Sequence, residues 1–459
     1  MRVLGVNAIF HDPSAALVVD GKVVAAAEEE RFSRRKHGKR PVPFAAWELP
    51  EQSMRWCLEV AGLDADGLDA VAYSFDPALA KPAEEMGLSD PWDHLRVTYA
   101  HHAPGFLANA LPGLDRSRVR FVPHHVAHAA SAALASPYDT SSVLVLDGRG
   151  ERASHLAGRY TGGRLEVLAS QELPDSLGLL YESVTEHLGF LRSSDEYKVM
   201  ALASYGEPTH LAEMRELVHP TGDGGFAAEI PDWSRWAPPR VDDGGWEPVH
   251  ADLAASVQTR LEEVLVELAR WLHEQTGDSV LTMAGGTALN CVANSRIWRE
   301  TPFEEVWIQP AAGDAGTSLG AALQLSVDGG EQAGPMPSAS LGRRWSDDDL
   351  AAVLRRAAVP FSTPHRLADV VADILAGNGV VGWFDGRSEY GPRALGHRSL
   401  LAHPGHEANV EHLNEVKGRE QFRPVAPMVL AERAHELFTG GPVPSPYMLF
   451  VHHVRTEWR

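Results

Sequence analysis

Residues 123–150 read PHHVAHAASAALASPYDTSSVLVLDGRG, and they set the frame for the rest of the chain. His124 and His128 stand four apart at the start of an Ala-rich helical run, so both imidazoles share one helix face. The apolar β-type run Ser142 to Leu146 follows and ends in Asp147-Gly-Arg-Gly. A carboxylate at a strand tip can point at the same spot as the two rings, which gives three candidate ligands for one metal. A second tip of this kind, Ala312-Gly313-Asp314-Ala315-Gly316-Thr317, follows the strand Val306 to Gln309 and precedes a small-residue helix start. Two such tips are what two pseudo-repeated halves facing across a cleft would offer, and in open α/β sheets ligands bind where strands end.

Upstream, Val3 to Val6, Ala15 to Val19 and Val23 to Ala27 run apolar, with turn signals at Asp12-Pro13 and Asp20-Gly21. Asp-Gly between two β-rich runs predicts a hairpin, so the chain opens as a β-meander. Its first turn, Asn7 to Ser14, carries many polar groups, His11 among them. The block of acids followed by bases from Glu28 to His37 reads equally as a solvated surface segment or as a functional one. A helix is expected over Glu51 to Ala61, and strands over Val71 to Phe75 and Val119 to Val122. Leu253, Val257, Leu261, Leu265, Leu268 and Leu272 recur at three and four, which predicts an amphipathic helix from Asp252 to Thr276 packed on a sheet. The strand Val280 to Met283 then leads into Ala284-Gly-Gly-Thr-Ala-Leu-Asn290, where paired glycines fit a plain turn and a nucleotide contact equally well.

Among 459 residues, 44% are hydrophobic and 22% charged, which is a globular composition with enough apolar content for a sizeable core. Two cysteines, Cys57 and Cys291, point to a reducing compartment without a disulfide framework. The opening MRVLGVNAIF lacks the long apolar segment of a signal peptide, and no run of about 18 apolar residues occurs, so a cytoplasmic protein without membrane partners is expected. A formal charge of -21 disfavours nucleic acid, whose binding depends on neutralised phosphates, and leaves small molecules as substrates.

After a Gly/Pro/Ser-rich linker at Gly329 to Ser340 the character changes. Helices are expected from Asp347 to Ala357 and Leu367 to Ala376, and a strand from Val380 to Phe384. Two basic stretches follow, Gly386 to Arg398 and Lys417 to Arg423. Cations this dense in an acidic chain, interleaved with Gly and Pro, predict a phosphate pocket. Tyr447 to Arg459 reads as a strand or its edge, so this second domain is expected to be incomplete at its C-terminus.

The blocks HDPSAAL, EEERFSRRKHG, HHVAHAAS, LVLDGRGE, EYKVMALASYG, AGGTALNC, GDAGTSLGAA, EYGPRALGHRS and KGREQFRPVAPMVL span residue 11 to about residue 430. Together they resemble the O-carbamoyltransferases of the nodulation and antibiotic-biosynthesis family. The resemblance implies an α/β chain: a two-lobed actin-like (ASKHA) carbamoyl-transfer domain over residues 1–340, then an α+β YrdC-like domain over residues 341–459. The second domain would form carbamoyl-adenylate from carbamoyl phosphate and ATP with Mg, and the first would pass the carbamoyl group to a small-molecule hydroxyl, by analogy one of a secondary metabolite. It further implies His124, His128, Asp147 and Asp314 as ligands of Fe(II), although a two-histidine, two-carboxylate set suits Fe, Mn or Zn on ligand type alone. It places Lys198, Gly285, Gly286 and Asn290 on the nucleotide, and Arg393, Lys417, Arg419 and Arg423 on phosphate groups. Where the family more often has Gly-Leu-Ala-Pro, this chain has Ala201-Leu-Ala-Ser204. His11 is expected to help deprotonate the acceptor, because an imidazole titrates near neutrality. A sugar kinase or ATPase of the actin-like superfamily would also use two strand-tip aspartates, but would need neither the histidine pair nor the Lys417 to Pro424 block. A non-catalytic binding protein is the other alternative.

Overall fold

Two five-stranded sheets of one topology make up the first part of the computed structural model, which describes residues 1–37, 49–90, 92–241 and 245–459. The first sheet contains β1 (Arg2–Asn7), β2 (Ser14–Val19), β3 (Lys22–Glu28), β4 (Ala70–Tyr73) and β5 (Val119–Phe121), in the order β3-β2-β1-β4-β5. The second begins with β6 (Thr140–Leu146), β7 (Ala153–Thr161) and β8 (Arg164–Glu172). After a separate hairpin of β9 (Val218–Pro220) and β10 (Phe226–Ala228), it is completed by β11 (Val280–Ala284) and β12 (Glu305–Ile308) in the order β12-β11-β6-β7-β8. In each, three antiparallel strands form a meander and two further strands join parallel to the first. Parallel partners need a crossover, and the crossovers here are helical.

Each half ends in a helix, His124–Ala133 after β5 and Ala315–Asp328 after β12, and these two helices pack on each other between the sheets. The alternation of strand side chains sorts the core into layers. On β1, Leu4 and Val6 face an outer core with the helices Glu51–Ala61 and Asp93–Ala110, whereas Val3 faces inward. On β6, Leu144 and Leu146 face an outer core with the helix Pro248–Thr276, whereas Val143 and Val145 face inward. The sandwiched helices are built from small residues, Ala127, Ala129, Ala130, Ala321 and Ala322 among them, which lets two helices and two sheets close up. At Gly320 a Cβ would overlap the Ala127 carbonyl, so the crossing of the two helices requires glycine. The duplicated sheets, with two crossed helices packed between them, form two lobes of one topology.

Residues 341–459 have little core of their own. No residue of the helices Asp347–Arg356 and Leu367–Ala376 is buried, and the strands are two short hairpins, Val381–Phe384 with Arg398–Leu401 and Phe438–Thr439 with His453–Val454. The region leans on the two-lobed part instead. Tyr390 is buried with its hydroxyl on Ser318 (3.0 Å), Asn294 donates to the Leu449 carbonyl (3.0 Å), and the Gly391 N–H donates to Glu28 (2.8 Å). Among the described residues, no helix is long and apolar enough to cross a membrane.

Candidate metal centre in the interlobe cleft

Pro123 precedes the first turn of the helix His124–Ala133, and the four-residue spacing turns His124 and His128 to one side. Asp147 follows the last residue of β6, and Asp314 is the N-cap of the helix Ala315–Asp328. The two lobes thereby bring four side chains to one point. His124 Nε2 lies 3.4 Å from Asp147 Oδ2 and 3.5 Å from Asp314 Oδ1, and His128 Nε2 lies 3.7 Å and 3.5 Å from the same atoms. All four residues are buried, and their ligand atoms lie within 4.8 Å of one another.

This donor set fits a divalent ion. Donor atoms about 2.0–2.2 Å from one tetrahedral centre stand roughly 3.3–3.6 Å apart, close to the imidazole–carboxylate separations here. His124 Nε2, His128 Nε2 and both Asp314 oxygens are buried without a hydrogen-bond partner, which is costly unless something else satisfies them. The surroundings orient the donors: His124 Nδ1 pairs with the Ser74 carbonyl at 3.1 Å, which leaves Nε2 free to face the carboxylates. The Gly286 N–H donates to Asp147 Oδ1 at 3.0 Å, and Glu151 accepts from the His124 N–H at 2.8 Å. Phe10 packs edge-on to His124 at 5.4 Å.

Charges in the cleft are strongly coupled. Burial disfavours protonation of His124, but Asp314 and Asp147 outweigh it and hold this imidazole well above its ordinary range. Burial likewise opposes ionisation of Asp147, and the two imidazoles reverse it, holding the carboxyl well below the usual range. His125 turns away from the cluster, and burial pushes it down to about 3.

His11 stands at the rim, in the turn between β1 and β2. Asn7 fixes that turn by donating to the carbonyls of His11 (2.9 Å) and Asp12 (3.0 Å). The His11 Nδ1 pairs with Asp12 Oδ2 at 2.9 Å, and its Nε2 lies 3.8 Å from Asp314 Oδ2. Burial lowers its pKa, but Asp314 and Asp12 prevail and raise it to about 10.

The remaining expected residues divide between the metal rim and a second polar patch. Gly285, at φ 91°, packs on the Leu146 carbonyl, where a Cβ would not fit, and this contact brings Gly286 to Asp147. Asn290 caps the helix Cys291–Glu300 by accepting from the Ala293 N–H (3.1 Å), and its amide also bonds Gln258 (2.9 Å). Arg393 donates to the Leu289 carbonyl at 2.8 Å. Lys198 pairs with Asp195 (3.0 Å) and Glu420 (2.6 Å), and the Arg423 guanidinium lies 4.5 Å from the Tyr197 ring centre. Burial, and then the neighbouring Arg419 and Arg423, depress the Lys417 ammonium. The basic block thus docks against the Glu196–Leu202 helix, so the linker does not hold the two regions apart.

Sequence reasoning gave no role to Asp12, His37 and Ser194, which are hydrogen-bonded in series beside His11. The run Glu28 to His37 divides: Glu28 and Glu29 are buried, with Glu29 accepting from the Ser53 N–H at 2.9 Å, whereas Arg34, Arg35 and Lys36 are exposed. Gly38, the last residue of the block EEERFSRRKHG, lies outside the described residues.

Fold and site together define an α/β protein of two like-built lobes with a two-histidine, two-carboxylate cluster between them. Comparison with known proteins narrows that class. Residues 2–85 and 93–323 match the family model for the carbamoyltransferase N-terminus, and residues 372–459 match that for the carbamoyltransferase C-terminus. The uncharacterized protein sll1178 of Synechocystis is 36% identical over 512 residues, spanning 100% of this chain and 80% of that protein. Nodulation protein NolNO of Sinorhizobium fredii is 36% identical over 474 residues (99% of this chain, 68% of that protein), and nodulation protein U of the same organism is 30% identical over 514 residues (100% and 85%). The chain belongs to the carbamoyltransferase family. Among solved structures, full-length HypF in its phosphate- and nucleotide-bound form aligns at TM-score 0.39 and 14% identity over 72% of this chain and 56% of that one. The activator of 2-hydroxyisocaproyl-CoA dehydratase from Clostridium difficile aligns at TM-score 0.37 and 13% identity over 72% and 95%.

Proposed function

We propose that the protein is an ATP-dependent O-carbamoyltransferase that moves a carbamoyl group from carbamoyl phosphate, through carbamoyl-adenylate, to a hydroxyl of a small molecule such as a secondary metabolite. The observation that carries this reading is the junction of four buried, orientated donor atoms with His11 in the interlobe cleft of a carbamoyltransferase-family chain. His124, His128, Asp147 and Asp314 would hold Fe(II) or another divalent ion. When bound, such an ion offsets the two carboxylates and acts as a Lewis acid toward an oxygen of the carbamoyl donor.

The chain's own residues supply the rest. The Gly285–Gly286 turn lets backbone approach the nucleotide side of the cleft, with Lys198 and Asn290 beyond it. In the transfer step the acceptor oxygen bonds to the carbamoyl carbon as the bond to the adenylate oxygen breaks, AMP departs, and the hydroxyl proton passes to His11. That role needs the neutral imidazole, and therefore a cation in the cleft to offset the Asp314 charge that otherwise outweighs burial and raises His11 to about 10. Carbamoyl-adenylate is a reactive donor, so positioning and proton removal suffice for the acceptor. Formation of the adenylate from ATP with Mg is assigned to a YrdC-like region, residues 341–459, where Arg393, Lys417, Arg419 and Arg423 would bind phosphate groups. Burial first, and then neighbouring cations, depress Lys417 and Arg419, and cations clustered in this way support an anion as their partner. Incubation with ATP, carbamoyl phosphate and a panel of hydroxyl compounds, followed by mass spectrometry, should show a carbamoyl adduct that depends on both cosubstrates; an adduct independent of ATP would overturn the adenylate route.

A further inference from the structure

We propose that His37 is a positioning residue for carbamoyl transfer: it locks Asp12, and through Asp12 the ring of His11, in the orientation that faces the Asp314 side of the cleft. This rests on the reading of His11 as the group that takes the acceptor proton.

The two oxygens of Asp12 are divided between two imidazoles, Oδ2 to His11 Nδ1 and Oδ1 to His37 Nδ1, each at 2.9 Å. His37 is itself held at three points. Its Nε2 pairs with Ser194 Oγ at 2.8 Å, its backbone N–H donates to Glu30 Oε2 at 2.7 Å, and its Nδ1 bonds Asp12. A carboxylate bound to a single imidazole can swing about its own bond. A second imidazole on the opposite oxygen fixes the carboxylate plane, and with it the ring that the first oxygen holds.

Backbone conformation marks the same place. Asp12, His37 and Ser193 adopt φ of 50°, 60° and 57°, in the left-handed region that residues with a Cβ rarely occupy. Such conformations persist where the surroundings over-determine them, and they cluster at functional sites. Here Asp12 and His37 belong to one hydrogen-bonded series that ends at the candidate metal centre, and Ser193 immediately precedes its last member, Ser194. Asp12, Glu30 and His37 could hold a cation by residue type. Their donor atoms are already committed, however: both Asp12 oxygens to imidazoles, and the Glu30 oxygens to Arg31 (2.8 Å) and the His37 N–H. The arrangement is therefore a hydrogen-bonded relay.

His37→Ala should lower kcat for transfer by about 10–100-fold, the range for loss of a residue that orients a functional ligand. The KM for the acceptor, the metal content and carbamoyl-adenylate formation should stay at parental values. His37→Gln, whose amide can reach both Asp12 and Ser194, should recover most of the rate, and Ser194→Ala should be milder than His37→Ala. In a His11→Asn background, His37→Ala should change nothing further, because it acts through His11. A parental kcat in His37→Ala, an added loss in the double variant, or a Ser194→Ala defect deeper than that of His37→Ala would each overturn the proposal. If His11→Asn alone is parental, the reading of His11 fails and the positioning role goes with it. A crystal structure of His37→Ala tests the geometry apart from activity: a His11 ring turned away from Asp314 is expected, and an unmoved ring refutes the lock.

Discussion

Replacement of His128 by Ala tests the metal centre most directly. His128 supplies one of four donors, its ring is fully buried, and neither ring nitrogen has a hydrogen-bond partner. It gives the helix no capping or packing bond that would explain two orphaned nitrogens, so its polar role is directed at the cleft. An ion present at about 100 times its Kd stabilises the folded chain by about 2.7 kcal/mol. Even loss of a residue behind a ligand weakens metal binding about 10–100-fold, so loss of a donor should cost at least about 100-fold. At the same ion concentration the variant would then sit near its own Kd, where the stabilisation is about 0.4 kcal/mol. The metal-dependent increment should therefore fall by about 2.3 kcal/mol. Truncating a buried ring also leaves a cavity, which lowers stability with or without metal. Thermal or denaturant unfolding should accordingly be run on metal-loaded and chelated samples of both proteins, and the two increments compared, with elemental analysis alongside. Parental protein should carry one ion per chain. A variant with the same metal content and the same increment would refute a site built on His128.

Three further outcomes are expected. His11→Asn should fold, bind metal and form carbamoyl-adenylate, yet transfer should slow by about 10²–10⁴-fold, the usual contribution of a positioned base; a near-parental rate at saturating acceptor would remove His11 from the mechanism. Lys417→Ala should lose carbamoyl phosphate-dependent pyrophosphate release while still using supplied carbamoyl-adenylate, and equal loss of both activities would count against two separate steps. Glu28 is pushed up to about 7 by burial, from an ordinary value near 4.5. Between those values the folded chain holds a proton that the unfolded chain has released, so Glu28 reduces stability as pH rises through this window, with the full effect above 7. Glu28→Gln should therefore gain stability relative to the parent on going from pH 4.5 to 7, measured by denaturant unfolding; a flat difference across that range would contradict the assignment.

The sequence carried the elements that bring the four candidate ligands together because their signals are local. A histidine pair at helical spacing, a strand ending in Asp-Gly and a glycine-rich helix start each declare themselves within a few residues. The long amphipathic helix was legible for the same reason, although it begins at Pro248, four residues before the expected start at Asp252. The duplication of the sheets was not legible as an internal repeat. What the halves share is strand order and layer, which demand only an apolar residue at alternate positions, so no common string survives. The strands β7 and β8 gave no clear signal either: β8 shows an exposed or half-exposed face at every position, and the pairing that makes it a strand is supplied by β7. Asp12 and His37 could not be linked from sequence, since 25 residues separate them and only the fold brings them to 2.9 Å. The docking of the basic block against the Glu196–Leu202 helix was not legible, because a linker's composition reports its lack of regular structure, not where the chain goes after it.

That return of the chain bears on how two chemical steps can share one protein. The contacts that hold residues 341–459 fall largely on backbone and side chains that also position the cleft. Tyr390 is bonded to Ser318 and to the Ala315 carbonyl, in the helix whose N-cap is Asp314, and Arg393 grips the carbonyl of Leu289 next to Asn290. Lys198 joins Glu420 of the basic block to Asp195, and Asp195 in turn faces Lys36 at 3.6 Å and Ser194 at 3.5 Å, which bonds His37. A run of ion pairs and hydrogen bonds thus connects the cations assigned to phosphate binding with the relay that holds His11. Because the second region has almost no core of its own, it cannot move as an independent body without breaking those contacts. An anion that draws Arg423 away from Glu420, 3.7 Å from it here, would leave Glu420 to Lys198 alone and alter the pull on Asp195 and Ser194. The end of the cleft where His11 is proposed to take the proton is in this way mechanically joined to the region proposed to make the carbamoyl donor.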